Sequence, residues 1–178
     1  MSWAPGGRPV LTGVDPTVRP GEVVDLLGPN GSGKSSLPRC VCRRLRPDRG
    51  RMLLDGSDVW RTAPREVART AAALAQDVPP DLENTVRQVV ELVRIALDLG
   101  VTVPAALHDL QFASAVCDRL VVLRQGVLVL DGPGTEVVTE KPLSEVYGVA
   151  ARVTPGPDGL PRVSLVLEQP PSRRGLRT

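Results

Sequence analysis

The residues with the most specific chemistry are Gly28-Pro29-Asn30-Gly31-Ser32-Gly33-Lys34-Ser35-Ser36. From Gly28 to Ser35 they satisfy the spacing G-x-x-x-x-G-K-S, and the apolar residues Val23, Val24, Leu26 and Leu27 stand directly before them. A strand feeding such a loop lets successive backbone N–H groups turn inward toward a common anion. Glycines permit the dihedrals this needs, and the following helix adds its positive end. Lys34 would bring a mobile ammonium to the β- and γ-phosphates, and Ser35 a hydroxyl to Mg²⁺. Glycine-rich turns before helices are common, but the whole spacing in a strand-to-helix setting is rare. The loop therefore reads as a nucleoside triphosphate site, in use or inherited.

The flanking elements must position that loop. Glu22 to Leu27 is the entering strand, and a helix is expected from Lys34 to Leu45 with Pro38 in its second turn, at about 3 kcal/mol if the helix is regular. Upstream, Val10-Leu11 and Val14 suggest a short strand. Downstream, a turn at Pro47–Gly50 precedes a strand at Arg51–Leu54, a turn at Asp55-Gly56 and a helix over Glu66–Thr70. Ala72–Gln76 reads as a strand, and Asn84–Leu99 carries apolar residues at helical spacing. Val101–Leu107 is a strand interrupted by Pro104, and Gln111–Cys117 a short helix. Leu120–Leu123 and Val127–Leu130 form a hairpin. A turn-rich link over Pro155–Pro161 leads to a last strand at Val163–Leu167.

At 178 residues, 42% apolar and 24% charged, the chain is expected to form one globular domain with a real core. Its four aromatics leave packing to Leu, Val and Ala. A net charge of +2, with arginines interleaved among acids, argues against a dedicated nucleic-acid face. No apolar run nears 18 residues and no basic-then-apolar start is present, so the expected location is cytoplasmic, without direct membrane insertion. Cys40, Cys42 and Cys117 have no metal-ligand spacing and read as structural thiols.

Several segments resemble the ATP-binding subunits of ABC transporters: the phosphate loop, Leu53-Leu54-Asp55-Gly56, Ala73-Leu74-Ala75-Gln76-Asp77, Ala105-Ala106-Leu107-His108-Asp109-Leu110 and Cys117 to Leu123. Arg19-Pro20-Gly21-Glu22 and Glu145-Val146-Tyr147-Gly148-Val149 resemble the importer branch for iron-siderophore, haem and cobalamin uptake. The resemblance implies ATP and Mg²⁺ as ligands, a membrane permease and a second ATP-binding subunit as partners, and peripheral association at the inner face of the membrane. It implies that Gln76 is the Q-loop glutamine, contacting Mg²⁺ and the attacking water, and that His108 is the switch histidine at the γ-phosphate. It sets Trp3 against the aromatic that stacks on adenine, with Ala4 and Pro5 as extra residues.

The departures from the family pattern are large. Only 32 positions separate Gln76 from His108 (76 to 108). In the family this interval holds the helical subdomain, the LSGGQ-type signature, the Walker B strand with its aspartate and catalytic glutamate, and the D-loop. None is in the sequence. The expected fold is thus an α/β P-loop NTPase core with a mixed sheet, an incomplete ABC ATPase domain over residues 1–168. It carries an internal join near 90 and a disordered tail at 169–178. Asp131, after Val127–Leu130, and Asp55, after Met52–Leu54, imitate a Walker B aspartate, but each precedes a glycine and reads as a turn residue. Such a chain is expected to bind ATP with hydrolysis impaired. The alternatives are a non-catalytic regulatory partner of an intact ATP-binding subunit, a remnant without function and, more distantly, an unrelated phosphate-loop kinase.

Overall fold

In the computed structural model, which describes residues 1–70, 103–105 and 110–166, the fold is built around strand β1 (Val23–Leu27). All five of its residues are buried, as expected of a parallel strand covered on both faces. β1 pairs in parallel with β4 (Val103–Ala105) on one side and with β5 (Arg119–Arg124) on the other. β5 pairs antiparallel with β6 (Val127–Gly132), so the order is β4-β1-β5-β6 and the sheet is mixed, as expected. Pro104 lies opposite Val24 in β4, which is an edge strand among the described residues, the position where a strand tolerates a residue with no N–H. The remaining strands form two small hairpins, β2 (Leu53–Leu54) with β3 (Ser57–Asp58) and β7 (Ala151–Pro155) with β8 (Pro161–Leu165). The helices among the described residues are α1 (Ser36–Val41), α2 (Pro64–Thr70), α3 (Leu110–Val116), α4 (Gly134–Val137) and α5 (Glu140–Tyr147).

Alternate β1 side chains serve two cores. Val23 and Leu27 pack with Leu120 and Val122 of β5 and with Ala113, Cys117, Val137 and Val138, which α3, α4 and their ends supply. Val24 and Leu26 face the other way, onto Val121, Leu123, Leu11, Val14 and Leu37 of α1. Asp25, between Val23 and Leu27, is fully buried. Arg119 fixes the start of the sheet, pairing at 2.8 Å with Glu22 and at 2.8 Å with Asp131, while Val23 N–H donates to the Asp118 carboxylate at 2.8 Å.

Three expectations need correction. The helix after the phosphate loop begins at Ser36 rather than Lys34, so Pro38 is its third residue, not a second-turn intruder. Pro38 has no N–H to give the Lys34 carbonyl, and the first turn is where that deficit is tolerated. The helix also stops at Val41, because Arg43 turns left-handed (φ +56) and its N–H donates to Cys40 O while Arg44 N–H donates to Arg39 O, a Schellman closure. The Arg43 guanidinium donates to Thr62 O and lies 5.1 Å from the Trp60 ring centre, contacts that hold an arginine where glycine is usual. Second, the N-terminal strand reduces to isolated bridges, Trp3 with Leu11 and Ser2 with Arg49. Third, the last strand is half of a hairpin: Pro155–Pro161 closes β7 onto β8 instead of linking to a lone strand. Neither α4 nor α5 was anticipated.

The β5–β6 turn, Gln125-Gly126, has positive φ at both residues, as a two-residue hairpin requires. Gly126 N–H donates to Ser32 O at 3.1 Å and Gly126 O accepts from Thr12 N–H at 2.8 Å, so the turn is bonded to both the phosphate loop and the N-terminal segment. A Cβ at Gly126 would stand 2.3 Å from Val10 O. Gly126→Ala should therefore destabilise the fold by about 1–3 kcal/mol, measured by thermal or urea unfolding, and an unchanged midpoint would contradict this packing.

Candidate functional site

β1 ends at Leu27 in the middle of the sheet, and the chain turns through residues 28–35 before entering α1. Pro29 O accepts from Ser32 N–H at 3.2 Å, and Gly33 O accepts from Ser36 N–H at 3.0 Å and Leu37 N–H at 3.4 Å. Among the described residues the N–H groups of Gly31, Gly33 and Lys34 have no acceptor. Unsatisfied amides grouped on one loop are what an anion completes. Gly33 is required there: its φ is +100, and a Cβ would stand 2.6 Å from Leu11 Cδ2 and 3.0 Å from Val10 O.

Lys34 is only 8% exposed, and its Nζ donates to Gly28 O at 2.6 Å and Pro29 O at 2.9 Å. Burial pushes its pKa below the ordinary lysine value, partly offset by attraction to the Asp25 carboxylate. Cavities open on both sides of the ammonium. One, of about 180 Å³, is bordered by Val10, Asn30, Gly31 and Gly33–Ser36. The other, of about 370 Å³, lies against Leu27–Asn30, Leu110 and Tyr147. Lys34 and Asn30 border both cavities. The cradle, the confined cation and the open space fit a polyphosphate.

The donor set for Mg²⁺ is thinner. The Ser35 hydroxyl is in place at the loop, but the described residues contain no cluster of three or more His, Cys, Asp or Glu side chains. Asp131 is engaged by Arg119 at 2.8 Å on β6, and Asp55 sits exposed in a turn at φ +51. Both therefore remain structural, as their glycine contexts suggest.

The structure forms Gly28 to Ser35 as one loop, with Ser36 opening α1. Trp3 packs its half-buried ring on the Val24 side of the sheet. The extra residues Ala4 and Pro5 are absorbed by a 3₁₀ turn, Pro5–Gly7, which returns the chain so that Trp3 bridges Leu11. On that side of the phosphate loop the cavity is bordered by Val10. Gln76, His108, the expected join near 90 and the tail at 169–178 lie outside the described residues. Tyr147, unassigned from the sequence, stands at the loop, its phenol beside the backbone of Gly28 on the border of the larger cavity. The contact spans most of the chain, and no local spacing signals it. Cys40 and Cys117 are buried free thiols, their pKa values pushed up by burial to about 11 and about 12.

A family model described as ABC transporter matches residues 11–134. The hemin import ATP-binding protein HmuV of Bradyrhizobium diazoefficiens is 28% identical over 246 residues, covering 92% of this chain and 91% of the relative. That aligned span exceeds the 178 residues available, so at least 68 of its positions (246 against 178) face no residue here. The HmuV of Pseudomonas putida is 33% identical over 167 residues, 94% of this chain and 61% of the relative. Among solved structures, CbiO1 of Clostridium perfringens, part of the ABC transporter complex CbiONQ, is similar in fold. Its TM-score is 0.60 at 21% identity, covering 79% of this chain and 88% of that one.

The depressed Lys34 pKa has a measurable sign. As pH rises, the ammonium is lost earlier than from a solvated lysine, whereas an anion bound against it retains the proton. Affinity for a nucleoside triphosphate should hold near neutrality and fall as pH climbs through the lowered pKa toward 10.5. Lys34→Ala should flatten this alkaline limb in equilibrium binding; the same limb in both proteins would contradict the assignment.

Proposed function

The chain belongs to the ABC transporter family, matched over residues 11–134, and on that premise we propose that it is an ATP-binding subunit of a haem or related metal-chelate importer that binds ATP and turns it over poorly. The carrying observation is the cradle: amides of Gly31, Gly33 and Lys34 without acceptors, beside a buried ammonium and two adjoining cavities. The importer and its cargo class are supported by the hemin import relatives. No described helix is long and apolar enough to cross a membrane, so attachment to the membrane would run through a permease.

Residues 1–168 act in this reading as a single shortened nucleotide-binding domain joined near 90, with 169–178 a tail. The positions that face no residue in the alignment with the Bradyrhizobium protein support the shortening. Gly28, Pro29, Asn30, Gly31, Ser32, Gly33, Lys34, Ser35 and Ser36 hold the phosphates, and Trp3 is the adenine-side aromatic. Ser35 and Gln76 are assigned to Mg²⁺ and His108 to the γ-phosphate. Bound Mg²⁺ would shield charge on the β- and γ-phosphate oxygens. The chain's own contribution is binding and orientation: the amides and Lys34 fix the phosphates.

Poor turnover follows from what phosphoryl transfer needs: a metal held by protein carboxylate and hydroxyl, a positioned water and a donor set over the γ-phosphate. The sequence lacks the Walker B aspartate, the catalytic glutamate and the LSGGQ-type signature. Two copies could not supply a signature motif to each other, which favours pairing with a second, intact ATP-binding subunit.

Purified chain should bind ATP in calorimetry or equilibrium dialysis, and Lys34→Ala should weaken it about ten-fold or more; equal affinities would overturn the binding assignment. Phosphate release by the chain alone should match the Lys34→Ala background, and robust turnover would overturn the loss of hydrolysis. An intact ATP-binding subunit should co-purify with the tagged chain, while a strictly monomeric protein would count against the pairing.

A further inference from the structure

Tyr147 is the last residue of α5, and Gly148 ends the helix in the left-handed conformation at φ +67. The helix thereby delivers a phenol to the beginning of the phosphate loop, where it borders the cavity of about 370 Å³ together with Gly28, Asn30, Lys34 and Leu110. The Gly28 N–H lies beside the phenol oxygen. A phenol oxygen can accept from such an N–H while its own O–H proton is donated elsewhere. Burial, reinforced by the Asp25 carboxylate, holds the phenol above the usual tyrosine range despite the Gly28 N–H, so at neutral pH it is a protonated donor.

The two cavities divide the loop between them. The smaller adjoins the amides from Gly31 to Ser36, and the larger lies past Asn30 and Lys34, with Tyr147 on its border. The amides beside the smaller space suit a diphosphate, and the larger space beyond Lys34 has room for a third phosphate. We propose that Tyr147 is a nucleotide-binding residue of this chain, its O–H donating to the terminal phosphate of a bound nucleoside triphosphate in the cavity beside Lys34. The assignment rests on the nucleotide-binding reading above and adds a group that distinguishes triphosphate from diphosphate. A neutral donor suits this position, because it contributes a hydrogen bond to a charged oxygen without a further buried cation beside Lys34.

The test is the ratio of ATP to ADP affinity in the full chain and in Tyr147→Phe, which keeps the ring and removes the hydroxyl. Tyr147→Phe should weaken ATP about ten-fold and leave ADP within about two-fold. Equal weakening of both nucleotides would mean that Tyr147 acts only through the shape of the loop, and unchanged ATP affinity would mean no contact; either overturns the proposal. Absence of ATP binding by the unsubstituted chain would overturn the parent reading instead, which separates the two failures. A second measurement covers a variant that does not fold. The chain contains a single tyrosine, so a ring-carbon isotope label gives one NMR signal for Tyr147 in the unsubstituted protein. That signal should shift with ATP well beyond its shift with ADP, and identical shifts would overturn the contact.

Discussion

The parallel pairing of β1 with β5, Val24 opposite Arg119 through Leu27 opposite Val122, fixes where the chain leaves the sheet and hence where the phosphate loop begins. A slip of one residue would exchange the two sides of β1, moving Asp25 into the core of Leu11, Val14 and Leu37. The polar ties at the other end of the strand oppose such a slip. Arg119 bridges Glu22 and Asp131, and Asp118 takes the Val23 N–H. Burial alone would raise the Glu22 pKa, but bonds from Arg19 N–H and Arg119 hold it below the ordinary carboxylate value. Its contribution to stability is thus present above that ordinary value and lost only as pH falls through the lowered one. At the loop end, the Gly126 turn takes over, bonded to Ser32 O and Thr12 N–H.

The phosphate loop and the central strands were legible because their signals are local. The loop announces itself through spacing, and β1 and β5 through short apolar runs. The position of Pro38 was misread, and the position that tolerates it recurs in a second helix. Pro38 and Pro142 are each the third residue of their helix, counted from Ser36 and from Glu140. A breaker read without knowing where the helix starts counts against the segment, yet in the first turn its missing N–H has no intrahelical role. β7 was missed for a different reason: its pairing, Ala151 with Leu165 through Pro155 with Pro161, is made only with β8, in a two-stranded sheet separate from the four-stranded one. Tyr147 at Gly28 depends on the path of α5 and has no local pattern at all.

The site's chemistry is asymmetric. On the side of charge recognition it is well equipped, with a buried cation, unsatisfied amides and space on either side of Lys34. On the side of metal coordination, the described residues offer the Ser35 hydroxyl without a carboxylate cluster, and the two candidate aspartates are committed to a salt bridge and a turn. Holding a polyphosphate and cleaving it make different demands. The first needs geometry set by the backbone, and the second needs side chains contributed from several strands. The described residues around Gly28 to Ser36 meet the first demand through backbone geometry.

The buried thiols carry a practical consequence. Cys40 belongs to α1, on the side of the sheet facing Leu37 and Val24, and Cys117 follows α3, on the side facing Val23 and Leu27. Each is a free thiol whose ionisation is suppressed by burial, so neither reacts quickly with an alkylating reagent while its layer is closed. The molecule therefore has a separate chemical reporter in each half of its interior, and their relative labelling rates indicate which layer of the sheet opens first.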